Sequence, residues 1–156
     1  MQIRFAKQQD VPGIIDLLRQ VGRVHHEGRP DLFRSNAQKY GPSQIMAMLD
    51  SSVNPIFVAV EEDKVLGYGF CNMKDYTADT VITPHKSLYI DDLCVDEAQR
   101  GKHIGKTIYN EILRYAKMRG CYNVTLNVWC CNESAMGFYE SLGLKLQKIG
   151  METILE

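Results

Sequence analysis

No stretch of this chain stays apolar for the roughly twenty residues that crossing a bilayer takes, and neither sign of charge dominates it. Lys and Arg total 18 against 19 Asp and Glu, a net charge of −1 over 156 residues. Without a positive field, a main role on nucleic acid or a membrane surface is not expected. Cysteine is sparse and shows no pairing pattern. Cys71, Cys94, Cys121, Cys130 and Cys131 make an odd count of five with no C-x-x-C spacing. Neither a disulfide framework nor a zinc knuckle is expected, which fits a reducing compartment. Repeats, low-complexity tracts and Gly/Ser linkers are missing too, so one domain over residues 1–156 is expected. The start, Met1-Gln2-Ile3-Arg4-Phe5, reads as a strand rather than a basic-then-apolar leader, which predicts a cytoplasmic protein.

What is present is ordinary globular material, 45% hydrophobic and 24% charged. A chain of this length buries roughly 68–70% of its unfolded surface and needs no staple. Ile3 to Ala6 reads as a strand, followed by a helix capped by Asp10 with Val11, Ile14, Ile15, Leu18 and Val21 on one stripe. Residues 23–42 read as loop, and Ser43 as the cap of a short helix bearing Ile45, Met46 and Leu49. Ile56–Val60 and Val65–Met73 form a predicted hairpin around Glu61-Glu62-Asp63-Lys64. Ser87–Val95 is a third strand, Ile104–Met118 a helix, Val124–Val128 a strand and Glu133–Leu142 a helix stopped by Gly143. Leu144–Ile149 and Glu152–Leu155 are expected to close the chain as strands. The fold class predicted is α/β of the α+β type: a mixed, mostly antiparallel sheet of about seven strands with about four helices.

The most informative stretch is Val95-Asp96-Glu97-Ala98-Gln99-Arg100-Gly101-Lys102-His103-Ile104-Gly105-Lys106-Thr107. A strand runs through a Gly- and Lys-containing loop into a long helix. The free amides and dipole of such a helix start attract phosphate, and Arg100, Lys102 and Lys106 add cations. A P-loop needs four residues between its glycines; Gly101 and Gly105 enclose three, so that cradle cannot close. The dinucleotide G-x-G-x-x-G spacing fails as well.

Arg100-Gly101-Lys102-His103-Ile104-Gly105 instead resembles the pyrophosphate loop Q/R-x-x-G-x-G/A of the GNAT superfamily of N-acetyltransferases, with His103 at the first motif glycine. The substitution is inexpensive if φ at His103 is negative. The resemblance runs over residues 2–154. It includes Tyr89-Ile90-Asp91-Asp92-Leu93-Cys94-Val95 before the loop and Asn127-Val128-Trp129, Asn132-Glu133-Ser134-Ala135 and Phe138-Tyr139-Glu140-Ser141-Leu142-Gly143 after it.

The resemblance implies a transferase that moves the acetyl group of acetyl-CoA to a primary amine, with CoA as product. It implies splayed fourth and fifth strands, with pantetheine against Leu93, Cys94 and Val95. The pyrophosphate would sit on amides from Gln99 through Arg100, Gly101, Lys102, His103, Ile104, Gly105 and Lys106. Asn132 would lie near the pantetheine arm, and a strand amide would face the thioester oxygen. Asp91 is the expected base, directly or through water. Asp91 and Asp92 are expected on opposite strand faces. Tyr139 matches the tyrosine that protonates the leaving thiolate and would touch the cofactor.

His26, Arg29 and Phe33 form an expected acceptor wall, with Asp92 and Asn127 as further substrate contacts. His25-His26-Glu27 carries metal-binding residue types, but neighbours in sequence seldom share one ion, so no metal is expected. Cys94 could form an acyl-cysteine, yet no motif activates it, and direct attack in a ternary complex is preferred. The partner is a small-molecule or peptide amine, with a homodimer left open. The competing readings are a CoA-binding sensor that lacks turnover and a nucleotide switch.

Overall fold

A computed structural model describes residues 1–155. The chain runs through β1 (Gln2–Phe5), a 3-10 turn (Gln8–Asp10), α1 (Val11–Gly28), α2 (Pro42–Met48), β2 (Ile56–Glu61), β3 (Lys64–Asp75), β4 (Lys86–Val95), a second 3-10 turn (Glu97–Gln99), α3 (Ile104–Met118), β5 (Asn123–Leu126) and α4 (Glu133–Ser141). The strands form one sheet in the order β1-β2-β3-β4-β5. All neighbours are antiparallel except β4 and β5, which run parallel because α3 carries the chain across between them. One face packs on α1 and α2 through Ile14, Leu18, Ile45, Val58 and Tyr68. The other packs on α3 through Phe57, Leu88, Ile108 and Ile112. Gly69 lets α3 approach closely: a Cβ there would lie 2.8 Å from Ile112 Cδ1.

Three expectations about local structure are corrected. The α1 helix continues to Gly28, so His25 and His26 lie in its last turn rather than in a loop. Gly41, not Ser43, is the N-cap of α2; Pro42 opens the helix, and the Gly41 amide donates to Gln44 Oε1 at 2.8 Å. Among the described residues the sheet has five strands, not about seven, because Leu144–Ile149 and Glu152–Leu155 form none. Alternation makes a strand only where a ladder and an apolar face receive it. Of that segment Leu144 packs against the core, while Leu146, Ile149, Met151, Ile154 and Leu155 stay exposed.

Asp10 does not cap α1 through its side chain. Its buried carboxylate instead accepts two hydrogen bonds from Arg4, at 2.6 and 3.0 Å, and one from the Lys7 amide at 2.7 Å. Burial pushes the carboxyl pKa up, but these bonds outweigh it and hold the group below the ordinary aspartate value. A depressed folded pKa gives stability that is present above the unfolded value and lost as pH falls through the folded one. Asp10→Ala is expected to cost about 3–5 kcal/mol at pH 7 by stranding Arg4. The gap from wild type should narrow in urea melts taken below the aspartate range.

Candidate active site

The β3–β4 ladder breaks its register at one place. Phe70 pairs with Asp92 and Cys71 with Ile90, which leaves Asp91 as the extra residue of a bulge. Paired residues share a face, and the bulged residue breaks the alternation. Both carboxylates therefore face the α1–α2 side, and the expectation of opposite faces fails. Asp91 accepts from Tyr40 Oη at 2.5 Å, and Asp92 from Tyr68 Oη at 2.9 Å. The Tyr40 and Tyr68 rings both pack on Phe70, at 5.0 and 5.1 Å between centroids.

The two carboxylates differ in environment. Asp91 also pairs with Lys39, whose Nζ lies 2.9 Å from Oδ2 and 3.0 Å from the Asp91 carbonyl oxygen. Among the described residues, no cation lies in hydrogen-bond contact with Asp92. Burial pushes its pKa up to about 6; the Tyr68 hydrogen bond and the Lys39 charge pull the other way, and the Asp91 charge adds to the rise. Tyr139, half-buried on α4, has its phenol pKa raised by burial first and by the Asp92 charge next, so it keeps its proton at neutral pH. Cys94 is buried with its thiol pushed up to about 12, mainly by burial. A thiol in that state is a poor nucleophile.

Strand β5 pairs with β4 only along Ser87–Ile90. Among the described residues, no strand pairs with the β5-facing edge of β4 from Asp91 through Leu93, Cys94 and Val95. Beyond this edge, Asp96 caps the second 3-10 turn by accepting from the Ala98 amide. The chain then enters an exposed basic turn at Arg100, Lys102 and Lys106; Lys102 donates to Gln99 Oε1 at 2.8 Å. Thr107 is the first α3 residue whose amide bonds back into the turn, to the His103 carbonyl. The amides of Ile104, Gly105 and Lys106 precede it, and His103 supplies no side-chain cap. Open donors with cations around them suit a diphosphate. Gly105 has a second duty: a Cβ there would lie 3.0 Å from Phe138, so its absence lets α4 seat against α3.

His103 has φ +59°, so the condition under which its substitution for glycine would be inexpensive is not met. The left-handed region costs a side-chain-bearing residue roughly 1–2 kcal/mol, and glycine loses part of that advantage through its freer unfolded chain. His103→Gly is expected to raise stability by about 0.5–1 kcal/mol in urea melts and to leave CoA affinity unchanged.

The expected acceptor wall is partly assembled. Phe33 stacks on His25 at 5.0 Å and meets Trp129 edge-on at 5.2 Å, while His26 Nδ1 donates to the Phe33 carbonyl at 2.7 Å. Arg29 is already committed. It grips Asp31 and Glu152 and so ties the C-terminal segment to the end of α1. Asn132 is the N-cap of α4, accepting from the Ala135 amide at 3.1 Å, and Asn127 donates to Tyr89 Oη at 3.3 Å. Sequence reasoning missed Lys39, Tyr40 and Tyr68. A cavity of about 90 Å³ opens between Tyr40, Phe70, Tyr89 and Asp91. A larger open depression of about 530 Å³ lies by Arg4 and Glu62, at the far edge of the sheet. Among the described residues, no three His, Cys, Asp or Glu side chains gather to hold a metal ion, and no helix is long and apolar enough to cross a membrane.

The acetyltransferase (GNAT) family model matches residues 22–144, which include the bulge, the basic turn and α4. The chain belongs to the GNAT acetyltransferase family. The structure of a mutant BH1408 protein from Bacillus halodurans is 35% identical, covers all of both chains and superposes with a TM-score of 0.94. Glucosamine 6-phosphate N-acetyltransferase 1 of Oryza sativa subsp. japonica is 32% identical over 63 residues, 40% of this chain and 36% of that protein. Thialysine N-epsilon-acetyltransferase of Mus musculus is 23% identical over 145 residues, 91% of this chain and 82% of the mouse protein. The match to human N-acetyltransferase 8B takes in 37% of that protein, so this GNAT chain spans well under half the length of some curated relatives.

Proposed function

We propose that the chain is a single-domain N-acetyltransferase that carries the acetyl group of acetyl-CoA to a primary amine by direct attack in a ternary complex. The observation that carries this reading is the bulge at Asp91, which puts two carboxylates on one face beside the unpaired edge of β4. Acetyl-CoA supplies an activated acetyl group, and the residues that would hold it are the Leu93–Val95 edge and the amides and cations of Gln99–Lys106.

A primary amine is mostly ammonium at neutral pH and must lose a proton before it attacks. Asp91 already binds an ammonium, that of Lys39, and serves to hold the acceptor's. Asp92, with its pKa pushed up to about 6, is the better proton acceptor, because a base works best near the operating pH. The roles expected for the two carboxylates are thus exchanged. Tyr139 supplies the proton, or the hydrogen bond, that the departing sulfur needs. The high thiol pKa of Cys94 argues against an acyl-cysteine route.

Paired carboxylates beside tyrosine and phenylalanine rings suit an aliphatic amine better than an amine next to a phosphate. The acceptor class is therefore closer to thialysine than to glucosamine 6-phosphate. A thiol-release assay over both compounds, a diamine and a lysine-ended peptide tests this, with turnover expected on the aliphatic amines. CoA binding without turnover on any amine would replace the enzyme with a sensor.

A further inference from the structure

Lys39 sits where an acceptor would. Its ammonium reaches across 52 positions of sequence to contact both the carboxylate and the carbonyl oxygen of Asp91, at 2.9 and 3.0 Å. Nζ also stands 5.7 Å from the centre of the Tyr40 ring. Asp91 lies two residues before Leu93, where the β4 edge is free of β5. The Lys39 charge is felt at Asp92 as well. The ammonium of this chain's own lysine therefore has the carboxylate that holds an acceptor, the carboxylate that takes its proton and the open strand edge all within one site. The segment bearing it has no helix or strand between Arg29 and Gly41, and the side chain is 44% exposed.

We infer that Lys39 is a site of self-acetylation, an internal acceptor that uses the acetyl-transfer site itself. The inference rests on the acetyl-transfer reading above. A proton passes from the Lys39 ammonium to Asp92 by way of water, and the freed Nζ lone pair attacks the thioester carbonyl carbon. A C–N bond forms and the C–S bond breaks. The electron pair leaves with sulfur, which becomes CoA thiol with a proton drawn through Tyr139, and the amide nitrogen gives up its remaining surplus proton to solvent. The products are N-acetyl-lysine at position 39 and CoA, with no oxidant or further reactant. An acceptor fixed on the same chain has an effective concentration that free amines rarely reach. Acetylation removes the charge that pairs with Asp91, so the product cannot restore that ion pair.

The test is to incubate the whole protein with acetyl-CoA and no added amine, treat it with hydroxylamine to strip thioesters, and map the acetyl groups that remain. One stable acetyl group on Lys39 is expected, formed at least about tenfold faster than on the exposed Lys117 or Lys148. Its rate constant should not change when the protein is diluted, and excess thialysine should suppress it by competing for Asp91. Lys39→Arg keeps a cation for Asp91 and should abolish the adduct. Tyr139→Phe should slow the adduct in step with transfer to thialysine, a parallel that uncatalysed acetylation would not show. Modification of Lys39 no faster than of Lys117, or at a rate that rises with protein concentration, overturns the inference. If thialysine is acetylated while Lys39 stays unmodified, the inference falls and the acetyl-transfer reading stands. If neither is acetylated although acetyl-CoA binds, the reading falls and takes the inference with it.

Discussion

Asp92→Asn is expected to lower kcat/KM for the amine by about 10²–10⁴-fold near pH 8, the range that a positioned base contributes. In the wild type, activity should fall about tenfold per pH unit below pH 6, because a protonated Asp92 cannot take the acceptor's proton. The variant should lose that acidic limb and follow the ionisation of the amine alone. Asp91→Asn should behave differently. It weakens the hold on the ammonium, so KM for the amine rises while the limb near pH 6 persists. If Asp91→Asn abolishes the limb and Asp92→Asn keeps it, the two roles are reversed.

Stability separates this loss from a folding defect. The folded pKa of Asp92 is raised, so its carboxylate opposes folding at pH above about 6, and the opposition vanishes as pH falls below the unfolded value. A shift from the ordinary aspartate value to about 6 corresponds to about 3 kcal/mol. Asparagine still accepts the Tyr68 hydrogen bond but carries no charge to desolvate. Asp92→Asn should therefore be as stable as wild type at pH 7.5 or more so, by up to about 3 kcal/mol, and should lose that advantage below about pH 4. An inactive but stabilised variant is what a strained functional carboxylate predicts.

The periodic elements were legible in the sequence because their signals are local. The stripe of α1 begins at Val11, α3 occupies the span that its apolar register predicts, and Gly120 and Gly143 stop their helices with φ of +70° and +86°. The place of the basic turn before α3 and of Tyr139 on α4 was legible through motif spacing. The face of Asp91 was not, because alternation holds only for an unbroken ladder and a bulge leaves no mark in composition. Lys39 and Tyr40 were illegible for a related reason. Nothing within their own segment ties them to a strand some fifty residues away; the fold alone brings them together. The closing strands failed in the opposite sense. Their alternation is real, but beyond Leu144 no apolar face receives it.

Tyr139→Phe is expected to slow acetyl transfer by about 10²-fold, the lower end of what general acid catalysis contributes, while KM for acetyl-CoA stays within about twofold. The modest size follows from the raised phenol pKa. A free thiol has a pKa near 8.5, so full proton transfer from such a phenol to a departing thiolate runs uphill. Part of the barrier is removed by the reaction itself. Burial, the larger cause of the raised phenol pKa, stays, but once Asp92 has taken the acceptor's proton the Asp92 charge that adds to it is gone, and Tyr139 becomes a stronger acid at the step that needs one. On the proposed mechanism, Asp92 and Tyr139 are therefore expected to act as a coupled pair. In the Asp92→Asn background the phenol never feels that charge, so removing its hydroxyl should give a different loss from the one seen in wild type. A double-mutant cycle measures this: a coupling of about 0.5 kcal/mol or more supports the pair, and simple additivity would mean that Tyr139 works independently of Asp92. Circular dichroism and CoA titration of Tyr139→Phe provide the control. Loss of CoA binding along with activity would make Tyr139 a packing residue of α4, and the proton for the leaving sulfur would then have to come from water.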